Sequence, residues 1–150
     1  MPSIYHYRSD ATWTSNRRGI VEAEEIPRTI NFSAPVEFNG EPGLWTPEHL
    51  LVSAAATCFL ATFRSIAEIS HFEMVALQVS AEGILEKTDG GLRFTQMILR
   101  PALAVANEDD QERGLRLLEK AERSCLVVRS LNCQIVLEPT VTVEILAHAM

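Results

Sequence analysis

Residues 46–59 read Thr46-Pro47-Glu48-His49-Leu50-Leu51-Val52-Ser53-Ala54-Ala55-Ala56-Thr57-Cys58-Phe59, and that order marks the start of a helix. A threonine hydroxyl can accept one of the first free N–H groups of a helix. Proline suits the first helical position, where a missing N–H costs nothing, and glutamate complements the positive end of the helix dipole. Neither Gly nor Pro interrupts the chain from Leu50 to Ile69, and its residues are small or apolar almost all round. This pattern predicts a helix buried on most of its surface, as in the core of a dimer. Cys58 lies near its middle. Three- and four-residue spacing puts Leu51, Ala54, Ala55, Ala61, Thr62 and Ser65 on the same face, small neighbours that leave access to the sulfur.

Upstream, the first forty residues predict short strands and turns. Ile4 to Trp13 mixes aromatic and polar residues, Asn16-Arg17-Arg18-Gly19 suggests a tight turn, and Thr29 to Phe38 alternates Ile30, Phe32, Val36 and Phe38 in strand fashion before Asn39-Gly40-Glu41-Pro42-Gly43 breaks the pattern. Downstream, Val75, Leu77, Val79 and Ala81 alternate with polar residues, and Thr88-Asp89-Gly90-Gly91 joins that run to Leu92–Val105 as a hairpin, in which Pro101 implies a bulge or an edge. A second helix is expected from Asn107 as cap, with Glu108, Asp109 and Asp110 at its start and Lys120 and Arg123 at its end. Gly114, Leu118, Ala121 and Cys125 form its inner face. Cys133 to Leu146 then alternates as one last strand. The order of elements is α+β, and residues 1–150 are expected to form a single domain.

Composition narrows the function. A 150-residue chain with 47% hydrophobic residues can bury a core without metals or disulfides to hold it. The net charge of −7 and the absence of a Lys/Arg block argue against a nucleic-acid partner. The N-terminal residues lack the basic start and apolar run of a secretory signal. The most apolar run, Leu50 to Phe63, is broken by Ser53, Thr57 and Thr62, so no membrane span and a cytoplasmic location are expected. Three cysteines, Cys58, Cys125 and Cys133, make an odd count that does not suit a disulfide framework. At the end of the second helix Cys125 has Arg123 and Arg129 to favour a thiolate and a carbonyl-rich helix end to disfavour it, which suits a resolving thiol better than a first nucleophile.

The segment Thr46–Phe59 resembles a helix of the OsmC/Ohr family, which opens Pro-Glu-x-Leu and carries a cysteine ten residues after the glutamate, the spacing from Glu48 to Cys58. The resemblance extends over nearly the whole chain. Cys125 falls where that family has a second cysteine, ahead of Ser130-Leu131-Asn132 and a terminal strand. It implies an OsmC-like α+β fold, two long helices packed on antiparallel sheets in an intertwined homodimer. It also implies thiol-dependent reduction of organic hydroperoxides in oxidative stress defence. In these terms Cys58 is the nucleophile, Cys125 the resolving thiol and Glu48 the supporting carboxylate. The supporting arginine is Arg18 or its neighbour Arg17, with Arg18 the first choice. Glu48 would orient the guanidinium. No metal, flavin or haem is implied. An external dithiol, a lipoylated protein or a thioredoxin-like one, would complete the cycle. Two departures stand out: Leu126, Val127 and Val128 follow Cys125 where the hydroperoxide-resistance branch usually has proline, and Cys133 is an additional thiol.

Helix geometry adds a constraint. Ten residues separate Glu48 from Cys58 by about 15 Å along the axis and about 80° in direction, so Glu48 is expected to serve the site of another subunit. The aromatic and aliphatic residues Trp45, Leu51, Phe59 and Phe63 would favour organic peroxides over hydrogen peroxide. The competing readings are weaker. His6, His49, His71 and His148 are scattered, with no pair at metal-binding spacing. An acyl-transfer enzyme lacks a placed base, His49 lying about 180° from Cys58 around the helix. The third alternative is a non-catalytic OsmC-like protein that binds a small molecule and keeps its cysteines inert. It predicts slow labelling of Cys58 at neutral pH, where a peroxidase predicts fast labelling.

Overall fold

The computed structural model describes residues 3–145; Leu146 and His148, included in the readings above, lie outside them. The chain divides into two compact units, Met1–Leu51 and Val52–Met150.

In the first unit, β1 (Asp10–Ser15), β2 (Arg18–Ala23) and β3 (Ile26–Ser33) form an antiparallel sheet in that order. Trp13 pairs with Gly19 and Gly19 with Phe32, while Ala11 pairs with Val21 and Val21 with Ile30, so Ala11, Trp13, Val21, Ile30 and Phe32 share one face. Gly19 is required there, because a Cβ would run into the Thr12 carbonyl oxygen on β1 and stand 2.9 Å from the Phe32 ring. The turn expected at Asn16–Gly19 is shorter than the sequence suggested. Asn16 takes a left-handed conformation (φ 48°) and its carbonyl accepts the Trp13 indole N–H at 2.8 Å, which leaves Arg18 and Gly19 already in β2. The strand expected through Phe38 also stops early. Pro35 starts a 3₁₀ turn (Val36–Phe38), its carbonyl accepting the N–H groups of Phe38 and Gly40, and left-handed Asn39 closes it.

Helix α1 (Pro47–Ile69) begins where the sequence placed it. In the second unit it buries the single stripe Ala55, Phe59, Phe63, Ile66 and Ala67, whereas Thr57, Leu60, Ala61 and Arg64 face outward. Within one chain, burial over most of its surface is therefore not what the fold provides. By length and composition alone α1 is long and apolar enough to cross a bilayer, as core helices can be; here Phe59 and Phe63 are fully buried in the protein core.

The long hairpin β4 (Ala76–Thr88) and β5 (Gly91–Val105) is the scaffold of this unit. Its bulge falls at Ile84/Leu85 and not at Pro101. The expected last strand is two short ones, β6 (Gln134–Leu137) and β7 (Thr140–Val143), which both run parallel to β5 and make the sheet mixed where antiparallel pairing was expected. Their registers with β5 leave Pro101 level with Pro139, in the gap between β6 and β7. The missing N–H of Pro101 thus falls where the ladder is already interrupted. A 3₁₀ turn (Glu108–Asp110) leads into α2 (Gln111–Ser124), whose buried residues Gly114, Leu118 and Ala121 are those the spacing predicted. A Cβ at Gly114 would lie 2.9 Å from Leu103 Cδ2, so glycine lets α2 lie close to β5. At the far end of α1, the Arg113 guanidinium donates to the Ser70 carbonyl and sits 5.4 Å from the Phe72 ring centroid. The fold is α+β.

Candidate active site

Cys58 sits on α1 between Thr57, which is exposed, and Phe59, which is fully buried, so its own side chain is half-buried at the boundary of the core. Cys125 reaches the same place from α2. The sequence reading placed it at a helix C-terminus, but the structure puts it at a break. Its extended backbone (φ −68°, ψ 112°) ends α2 and caps α3 (Leu126–Arg129). Its N–H donates to the Ala121 carbonyl at 2.8 Å and its carbonyl accepts the Arg129 N–H at 3.0 Å. The N–H groups of Leu126 and Val127 therefore belong to the first turn of a new helix, where no intrahelical acceptor exists for them.

This break explains the ionisation of the pair. Burial pushes the Cys58 thiol up, but hydrogen bonding from the Val127 N–H, the Cys125 side chain, the Thr62 hydroxyl and the Leu126 N–H together outweigh it and hold Cys58 below the ordinary thiol value. Cys125 moves the other way. Burial raises it, the Val128 N–H opposes, and the neighbouring Cys58 raises it further. Such an arrangement favours the thiolate at Cys58 and the protonated form at Cys125. Cys133 is half-buried against the core and burial raises its thiol against the pull of the Arg93 charge.

The other expected site residues lie in the first unit. Thr46 caps α1, its Oγ1 accepting the His49 N–H at 3.0 Å and meeting His49 Nδ1 at 2.7 Å. Glu48 Oε1 is buried and has no hydrogen-bond partner among the described residues. Arg18 pairs with Glu41 (Nε to Oε2, 3.3 Å), so the carboxylate it meets in this unit is not the expected Glu48. Arg17 is exposed and its carbonyl accepts the Ala34 N–H at 3.2 Å.

The fold thus brings Cys58 and Cys125 together and adds Thr62 with the Leu126 and Val127 amides, to which the sequence reading gave no role. The i, i+4 spacing already put Thr62 beside Cys58. The break at Cys125 left no such signal, since Leu126, Val127 and Val128 follow the cysteine. Among the described residues, no group of three or more His, Cys, Asp or Glu is placed to hold a metal ion.

Comparison with known proteins supplies the context. The family described as OsmC-like protein matches residues 40–140. The chain is similar to the uncharacterized protein YmaD of Bacillus subtilis, with 34% identity over 143 residues covering 91% of this chain and 95% of that protein. It is also similar to peroxiredoxin OsmC of Escherichia coli, with 26% identity over 137 residues covering 89% and 94%. Its fold is similar to the crystal structure of an organic hydroperoxide resistance protein OsmC from Legionella pneumophila, with a TM-score of 0.76 and 22% identity over 94% of this chain and 99% of the other.

Proposed function

Because this chain belongs to the OsmC-like family, we propose that it is a cysteine-based peroxidase that reduces organic hydroperoxides, with Cys58 as nucleophile and Cys125 as resolving thiol. The observation that carries this reading is the opposed ionisation of the two thiols, Cys58 lowered and Cys125 raised. The relative named peroxiredoxin points to the same chemistry.

In the proposed cycle the Cys58 thiolate donates its electron pair to the terminal oxygen of the hydroperoxide. The O–O bond breaks, the leaving alkoxide takes up a proton as alcohol, and Cys58 becomes a sulfenic acid. Cys125 attacks that sulfur, the S–O bond breaks and water leaves with the Cys125 proton, forming a disulfide. An external dithiol, a lipoylated or thioredoxin-like protein, then returns both cysteines to thiols and is itself oxidised. Half-buried Leu51 and Val52 and the buried ring of Phe59 give α1 an apolar character that suits an organic peroxide.

The supporting residues are part of the proposal. Glu48, with Arg18 or Arg17, assists the thiolate, and the protein works as a cytoplasmic homodimer in which this carboxylate comes from the partner subunit. The buried Glu48 Oε1 without a partner and the outward Leu60, 39% exposed on α1, support an assembly of more than one chain. The test is turnover: purified protein with dihydrolipoamide should consume cumene hydroperoxide catalytically, and Cys58→Ser should abolish it. Absence of turnover with dihydrolipoamide and with reduced thioredoxin alike would reject the reading.

A further inference from the structure

We propose that Thr62 is a further catalytic residue, whose hydroxyl donates to Cys58 Sγ and holds it as the attacking thiolate. This rests on the peroxidase reading above. Thr62 Oγ1 lies 3.9 Å from Cys58 Sγ, one turn further along α1, within reach for a hydrogen bond to sulfur. A thiolate has no proton to give, so toward it the hydroxyl is the donor, and the helix sets the approach of the two side chains. Every Cα–Cβ bond tilts toward the N-terminus, so the side chain at position i+4 leans back over the side chain at i. Thr62 is half-buried, and its hydroxyl is thus partly sheltered from competing water.

A second threonine on the same helix provides the contrast. Thr57 spends its hydroxyl on the Ala54 carbonyl at 3.3 Å, the backbone bond that serine and threonine usually make inside helices. Thr62 instead meets the sulfur, although a β-branched residue is a poorer helix former than the alanines around it. The ionisation of Cys58 agrees, since the Thr62 hydroxyl is among the groups that lower it. During attack the hydroxyl keeps its proton. It hydrogen-bonds the sulfur while that atom's lone pair forms the new S–O bond, and no electron or proton is exchanged with the threonine.

The test is the pH profile of Cys58 alkylation by iodoacetamide, read peptide by peptide by mass spectrometry, for the wild type, Thr62→Val, Thr62→Ala and Thr62→Ser. One hydrogen bond to a thiolate predicts that Thr62→Val and Thr62→Ala move the midpoint to higher pH and slow the reaction about two- to fivefold at pH 7. The rate at high pH should stay equal or rise slightly, because a more basic thiolate is the better nucleophile. Thr62→Ser should restore the wild-type profile. A purely structural role would lower the rate at all pH values and leave the midpoint in place. An unchanged midpoint in both Val and Ala variants, or a Ser variant no better than they are, overturns the proposal. Oxidation of Cys58 by cumene hydroperoxide is followed in the same samples. Wild-type Cys58 that alkylates with a lowered midpoint but resists the peroxide overturns the peroxidase reading itself, whereas wild-type oxidation with no effect of Thr62 overturns only the role of Thr62.

Discussion

Cys58 and Cys125 drive each other's ionisation in opposite directions: the Cys125 side chain hydrogen-bonds the Cys58 sulfur and lowers it, and Cys58 raises Cys125 in return. Two thiols in similar environments would share the charge. Here the break after α2 frees the amides of Leu126 and Val127, which with Thr62 and Cys125 outweigh burial at Cys58, whereas at Cys125 burial outweighs the Val128 and Val127 amides, so the two thiols ionise unequally.

The first consequence is selective reactivity. At pH 7 Cys58 should alkylate at least about tenfold faster than Cys125 or Cys133, since the thiolate is the reacting species and only Cys58 is lowered. Its rate should rise with pH through a midpoint below that of an ordinary thiol. Cys125→Ser, whose hydroxyl is a poorer match for sulfur in size and acidity, should move that midpoint upward. Peptide-resolved alkylation measures all three sites at once.

Leu126 tests the contribution of the main chain. It is the first residue of α3 and is 68% exposed, a place where proline is well tolerated. Leu126→Pro removes one N–H from Cys58 without a fold penalty, so its circular dichroism should match the wild type while Cys58 alkylation at pH 7 slows about twofold to fivefold. An unchanged rate would mean that the Leu126 amide does not reach the sulfur.

The sequence made some of this legible. Thr46, Pro47 and Glu48 marked the start of α1 because caps are local chemistry, and Gly114, Leu118 and Ala121 marked the inner face of α2 because burial follows helical periodicity. Non-local events were hidden. Nothing within β6 or β7 says that they pair parallel to β5, and the interruption at Pro139 is explained only when Pro101 is seen beside it. The break at Cys125 was missed for a related reason: Leu126, Val127 and Val128 are apolar and continue the helical pattern, while the turn of the chain there is set by packing Cys125 and Val128 into the core. The partner of Arg18 was also non-local, supplied by Glu41 across the turn after β3.

Arg113 should matter for stability rather than chemistry. It ties α2 to the end of α1 through the Ser70 carbonyl and lies over Phe72. Arg113→Leu should cost about 1.5–3 kcal/mol in urea unfolding, the range for a hydrogen bond to a charged donor. Cys58 alkylation in the folded variant should not change.

Stability should fall at alkaline pH through Cys125. Its folded-state thiol is raised above the unfolded value, so its contribution is fully present below the unfolded thiol value and is lost as pH rises through the folded one. Cys58 is lowered, and its contribution is present above the unfolded value and lost as pH falls through the folded one. Urea midpoints from neutral to alkaline pH should therefore drop less steeply for Cys125→Ala than for the wild type, whatever the offset between them.

The most direct measurement treats the reduced protein with one equivalent of cumene hydroperoxide and maps its cysteines by intact mass and peptide analysis, with Cys58→Ser as control. A loss of two hydrogens within seconds, carried by a Cys58–Cys125 disulfide and absent from the control, is the expected result. A bridge from Cys58 to Cys133 would reassign the resolving thiol, and Cys58 still reduced after minutes would contradict the account.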